Sequence, residues 1–222
     1  MGEVQVLITV VIPVGPSEAN KRWLDECLDS VRNQSFKADE ILLIDDQAHL
    51  DSNDYPDTNI WKTPWLSGVA HAFNFGISFA KNELVVMLGS DDWLEPDALK
   101  RLKQTYEKHK ELDAYYSFTV RYSDDGELQD EPCNCAAVTK GLWKLTGGFP
   151  VESEIGACDS IFISMMLVHH NDRLIKVAEG HPLYNYRRHD NSDTGTRSMA
   201  YQGPIFIVRD LFTRNWKKPT WT

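Results

Sequence analysis

Two aspartates, Asp91 and Asp92, stand side by side directly after the apolar run LVVML at residues 84–88. Like charges this close repel each other and are costly to desolvate. A divalent cation relieves that repulsion. Mg²⁺ and Mn²⁺ favour carboxylate oxygens and often bridge them to substrate phosphates. A second acidic pair, Asp45 and Asp46, closes the run ILLI at residues 41–44. Arg187 and Arg188 form a local basic site near the far end of the chain, and guanidinium groups give charge-assisted hydrogen bonds to phosphate oxygens. The glycine-rich cradles G-x-G-x-x-G and G-x-x-x-x-G-K-[ST] are absent. A diphosphate must then be held another way, and a metal on carboxylates is one. The competing reading of Asp91–Asp92 is a solvated turn that also caps the next helix.

The elements that must position these groups follow from periodicity. VQVLITVVIPV, residues 4–14, is a near-continuous β-branched run, the pattern of a strand buried on both faces. Trp23, Leu24, Cys27, Leu28 and Val31 recur at helical spacing, with Ser17 or Asn20 as N-cap. Residues 39–46 predict a second strand, and residues 47–65 a loop with one short strand near Ile60. Leu66 to Ala80 carry a second amphipathic helix. LVVML is the third long strand, and Pro96 opens a helix bearing Leu99, Leu102 and Tyr106. AYYSFTVRY, residues 114–122, is a strand followed by a hairpin-type turn. This alternation predicts a parallel α/β sheet with right-handed crossovers. Strands ending at Pro13, Asp45–Asp46 and Asp91–Asp92 then share the edge where such sheets bind ligands. Beyond residue 120 the sequence predicts a helix at about 158–169, strands over LIKVAE and PLYNYRR, a loop at 189–203 and a last helix at about 204–214.

Composition narrows the function classes. The 222 residues fit one domain, and 42% hydrophobic with 25% charged residues reads as globular. The net charge of −10 argues against sequence-blind binding to nucleic acid or anionic membrane. No apolar stretch reaches the ~18 residues of a membrane span, and the N-terminal run lacks a basic leader. The expectation is a cytoplasmic protein, with peripheral membrane contact allowed. Cys27, Cys133, Cys135 and Cys158 are scattered and read as buried or indifferent thiols.

Taken in order, ITVVIPV, CLDSVRNQSF, ILLIDDQ, GVAHAFNFGISFAKNELVVMLGSDDWLEPDAL, LTGGFP, CDSIFISMM and YRRHDNS resemble a family 2 glycosyltransferase with the nucleotide-diphospho-sugar transferase (GT-A) fold. The resemblance runs from about residue 8 to 195. It implies that Pro13 and Val14 lie where the nucleobase is held and that Asp46 hydrogen-bonds the base, usually uracil. Gly68 begins a G-x-x-x-A-x-N-x-G segment lining the nucleotide site, with Asn74 and Gly76. Asp91 and Asp92 match the acidic metal motif, one toward ribose or metal, the other toward the metal bridging both phosphates. His189 matches a late metal or diphosphate ligand, and Asp159 the catalytic base of inverting members. The sequence departs from the family pattern at Gly89, where an acid is frequent, at Gly15–Pro16, at Phe73 and at Cys158.

Each residue has a plainer reading. Asp46 fits a turn acid, Asp159 a helix N-terminal acid and His189 a solvated loop residue. Trp93, Trp143, Gly147 and Gly148 fit either a wall for sugar or acceptor, or ordinary core and turn positions. The sequence therefore predicts a single GT-A-like α/β domain. Residues 1–120 form the nucleotide-sugar half and 121–222 the acceptor half. The expected activity is metal-dependent, inverting transfer of a hexose from a UDP-sugar, with Mn²⁺ or Mg²⁺, to a glycan, lipid-linked, protein or modified-nucleobase acceptor. The alternatives are a nucleotide-sugar-binding protein with decayed catalysis, or a sugar-phosphate nucleotidyltransferase.

Overall fold

A computed structural model describes residues 5–123, 126–129, 136–149, 162 and 170–189. The expected helices near 158–169 and 204–214, the loop at 189–203 beyond its first residue, and Cys133, Cys135, Cys158 and Asp159 lie outside the described residues.

The sheet is built outward from β1 (Ile8–Val14). Ile8, Val10, Ile12 and Val14 enter the core on one face and Val11 the core on the other, which explains the unbroken apolar run. β1 lies parallel to both β2 (Glu40–Asp45) and β4 (Leu84–Met87), and β3 (Asn59–Lys62) extends the parallel set at the outer edge. On one face pack α2 (Leu24–Arg32) and α4 (Ala98–Lys108), through Leu24, Cys27, Leu28, Leu99 and Leu102. On the other pack α3 (Val69–Phe79) and α5 (Lys140–Thr146), through Ala72, Ile77 and Leu142.

Beyond β4 the pairing changes. β8 (Ala136–Thr139) runs antiparallel to β4 and to β6 (Tyr115–Tyr122), so it separates two strands of like direction. β9 (Leu174–Tyr186) lies parallel to β6, β5 (Trp93–Leu94) pairs antiparallel with the end of β9, and β7 (Leu128–Gln129) with β6. The order is β3-β2-β1-β4-β8-β6-β9-β5. The two strands expected over LIKVAE and PLYNYRR are one strand with a bulge. Phe118 pairs with Val177 and Thr119 with Pro182, and the four residues between include Ala178 and Gly180 at positive φ.

The first expected helix is two. Ser17 accepts from Asn20 N–H at 3.2 Å and caps α1 (Glu18–Arg22). Trp23, at φ −112° and ψ 7°, then separates α1 from α2. α4 begins after Asp97, so Pro96 stands two residues ahead of the helix rather than in its first turn. No described helix is long and apolar enough to cross a membrane.

Candidate active site

The acid pair sits just past β4, where Asp92 N–H closes a turn on Gly89 C=O at 3.1 Å. Asp92 is 4% exposed and both its oxygens are engaged: Tyr184 O–H donates to Oδ2 at 2.6 Å and Arg187 N–H to Oδ1 at 2.7 Å. Its carboxylate therefore turns toward β9 and does not cap α4, which disposes of the helix-cap reading. Burial, then the neighbouring Asp91, push its pKa up to about 8 against the opposing pull of Tyr184 and Arg187.

Asp91 faces His189, whose Nε2 lies 2.9 Å from Asp91 Oδ2. The imidazole rests on Trp23, ring centroids 4.6 Å apart. Arg187 links the same groups. Its Nε donates to Asp91 C=O at 2.8 Å and its Nη2 to Glu26 at 2.7 Å. Its guanidinium carbon lies 4.5 Å from the Trp93 ring centroid and 5.0 Å from that of Trp23. Asp91, Asp92, Trp93, Arg187 and His189 are thus brought together. Arg188 turns elsewhere, its guanidinium 3.7 Å from the Tyr122 ring centroid and its N–H on Ser123 Oγ. Cys27, buried behind the turn, donates from Sγ to Gly89 C=O at 3.3 Å; burial, with Asp92 and Asp91, raises its pKa.

The carboxylate oxygen is a donor of the kind Mn²⁺ and Mg²⁺ take, and the imidazole nitrogen beside it is one that transition metals accept. Among the described residues no three His, Cys, Asp or Glu side chains could cage an ion unaided.

A second group lies at the neighbouring strand ends. Pro13 and Val14 are buried, and Val14 C=O accepts from Asp46 N–H at 2.9 Å. Asp45 accepts from the N–H groups of Ala48, His49 and Leu50 and closes the turn after β2. Asp46 gathers the loop after β3: Oδ1 accepts from Thr63 Oγ1 at 2.7 Å and from Ser67 N–H and Oγ at 2.8 Å, and Oδ2 from Gly68 N–H at 2.8 Å. Burial raises its pKa, but those bonds outweigh burial and hold the carboxyl below its ordinary value.

A third group is separate. Asn74, on α3, accepts at Oδ1 from Trp143 Nε1–H and Phe149 N–H, and donates from Nδ2 to Phe149 C=O, each at 2.8 Å. Gly147 ends α5 at φ 81° and Gly148 repeats that conformation. Gly76 lies against Val11 and Ile44 in the core.

Sequence reasoning did not single out Tyr184, Trp23, Glu26, Thr63 or Ser67 as site residues. Tyr184 sits near the end of β9 in an apolar and aromatic run, and its hydroxyl matters because that strand end reaches Asp92. Trp23 and Glu26 carried a helical signal, which conceals that this helix start faces the acid pair.

The family model for glycosyl transferase family 2 matches residues 9–212. The hyaluronan synthase of Pasteurella multocida is 26% identical over 217 residues, covering 86% of this chain and 22% of its own length. The chondroitin synthase of Pasteurella multocida (strain Pm70) gives the same identity and coverage. The chain thus spans about a fifth of these relatives. Among solved structures, S. aureus TarS 1–349 in complex with UDP-GlcNAc shares the fold, with a TM-score of 0.72 at 15% identity, over 91% of this chain and 65% of that one.

Proposed function

The chain belongs to glycosyl transferase family 2, and from that footing we propose that it transfers a hexose from a UDP-sugar to a hydroxyl of a carbohydrate acceptor with inversion. The observation that carries this reading is the convergence of Asp91, His189, Asp92 and Arg187 at one sheet edge. The similar synthases are named for hyaluronan and chondroitin, which supports a carbohydrate acceptor, and the TarS complex supports a UDP-sugar donor. In this reading residues 1–120 form the donor half, which Arg187 and His189 join, and the rest of 121–222 receives the acceptor.

Asp91 and His189 would hold Mn²⁺ or Mg²⁺, which supplies positive charge to the departing diphosphate. Tyr184 and the Arg187 N–H hold Asp92 beneath this pair and so fix the turn that presents Asp91. Arg187 lends charge to the same edge through its position on Asp91 C=O. Trp93 serves as the surface on which that guanidinium rests. Pro13, Val14 and Gly68 frame the base. Asp46 orders the 63–68 loop beside it, and its Oδ2, which accepts from the Gly68 N–H alone, keeps a lone pair for the uracil imide N–H. The acceptor oxygen attacks the anomeric carbon, the bond to the β-phosphate oxygen breaks, and the hydroxyl proton passes to a carboxylate. Asp159 is the residue assigned to that base, a role worth about 10²–10⁴-fold.

A thermal-shift panel of UDP-, GDP-, TDP- and CMP-sugars, with and without Mn²⁺, tests the donor. UDP-sugars should stabilise the protein in a Mn²⁺-dependent way, and Asp91→Asn should abolish that dependence. Asp159→Asn should bind UDP-sugar and release no UDP. Absence of a shift with every UDP-sugar refutes the donor; normal turnover by Asp159→Asn refutes the base.

A further inference from the structure

We propose that Asn74 is a positioning residue: it clamps donor-side helix α3 to the Gly147–Phe149 turn of the acceptor side, and sets the geometry of transfer without touching the nucleotide. The inference rests on the proposed glycosyl transfer and reassigns Asn74, Trp143 and Gly148 within it.

Both ends of the Asn74 amide are spent on one short stretch of chain. Oδ1 takes the Trp143 indole N–H and the Phe149 N–H, and Nδ2 reaches the Phe149 C=O. The two bonds to Phe149 pair the amide with a backbone N–H and C=O, as one strand residue pairs with another. Gly68, the N-cap of helix α3, has its N–H held by Asp46, so one helix carries a link to each group. The turn is shaped to accept the clamp. A Cβ on Gly148 would come within 2.6 Å of Asn74 Oδ1 and 2.8 Å of Trp143 Nε1, and its φ of 81° also disfavours a side chain. A Cβ on Gly147, at the same φ, meets nothing within 4 Å. Gly148 is therefore demanded by the clamp itself, while Gly147 is demanded by the helix end.

The clamped residue also leads inward. The Phe149 ring lies 4.5 Å from that of Phe162, and Phe162 lies 6.0 Å from Tyr115 of β6. Asp159 follows Phe149 in sequence and lies outside the described residues, so the clamp holds the chain where it leads into the segment that carries the proposed base. A clamp so placed acts on the acceptor step. Misplacement of a reacting group by about 1 Å costs on the order of 10²-fold in rate.

The test compares Asn74→Ala, Gly148→Ala and Trp143→Phe with the parent protein. UDP affinity and site number come from calorimetry with Mn²⁺, and kcat and donor KM from UDP release. Asn74→Ala and Gly148→Ala should lose about 10²-fold in kcat per binding site, with UDP affinity and donor KM unchanged. Trp143→Phe, which removes one bond of three, should lose less. Site number corrects for any misfolded fraction, so simple destabilisation lowers binding and turnover together and does not mimic the split. A tenfold or greater loss of UDP affinity in Asn74→Ala, with kcat per site retained, overturns the proposal and returns Asn74 to the nucleotide. A parent that neither binds UDP nor turns over a UDP-sugar overturns the proposed function itself and the clamp's role with it.

Discussion

Replacing Asp46 by Asn isolates the charge that organises the nucleobase side of the site. The carboxylate accepts four hydrogen bonds from Thr63, Ser67 and Gly68. An Asn amide does best by keeping its oxygen toward Thr63 and Ser67, which leaves its NH₂ facing the Gly68 N–H. One charge-assisted bond, worth about 1.5–3 kcal/mol, is lost, and an orphaned N–H adds about 1–3 kcal/mol where burial is complete. Because the loop can relax, a net cost of about 2–4 kcal/mol is expected, or roughly 4–16 °C in Tm for a chain of this size. The pH dependence carries the sharper test. Asp46 has a depressed folded-state pKa, so its contribution is fully present above the unfolded value of about 3.9 and is lost as pH falls through the folded value. Asn has no such titration. Thermal denaturation followed by circular dichroism should show the full gap between the two proteins at pH 7, the same gap at pH 5.5, and a narrowing below about pH 4. A gap under 1 °C at pH 7, or one constant down to pH 3, refutes the view that Asp46 stabilises the loop as an anion.

Asp92 should behave with the opposite sign. Its pKa is raised by burial and by Asp91, so the metal-free protein should lose stability as pH rises from about 4 toward 8; Asp92→Asn should flatten that decline in a Tm-against-pH series. Trp23→Ala removes the surface beneath His189 and the rings under Arg22 and Arg187. Stability should fall by about 1–3 kcal/mol in denaturant titration, and the Mn²⁺-induced thermal shift should shrink; Trp23→Phe should retain most of both.

The parallel part of the fold was legible because it is redundant in the sequence. β1, β2 and β4 are largely apolar runs, and residues that suit a ligand edge stand at or just past their ends: Pro13, Asp45–Asp46 and Asp91–Asp92. β8 was not legible. AAVT has little strand signal of its own, and its place between β4 and β6 comes from pairing on both sides. The break at Trp23 was hidden for a related reason: the apolar spacing runs straight through it, and only the backbone there leaves the helix. In the site, the acids and the Arg187–His189 pair could be read from residue type and order. Their partners could not. Tyr184 and Glu26 matter through distances of 92 and 161 residues in sequence, which no local pattern encodes.

Gly89 shows how this chain departs from the resembled pattern and still supports an acid pair, Asp92 buried and Asp91 partly exposed. The position often carries an acid in the resembled family. Here a Cβ at residue 89 would lie 2.6 Å from Asp92 Oδ2 and 3.0 Å from Asp91 Oδ1, so both carboxylates occupy the space a third would need. The Gly89 N–H donates instead to Tyr184 Oη at 3.0 Å, and Tyr184 O–H passes a bond on to Asp92 Oδ2. A third carboxylate this close would add like-charge repulsion in a region that already pushes Asp92 toward protonation. With glycine, Asp92 keeps two hydrogen-bond donors and stays fixed, and Asp91 is left as the acid turned toward His189. Glycine therefore leaves both carboxylates their space, and Tyr184 ties the Gly89 backbone to Asp92.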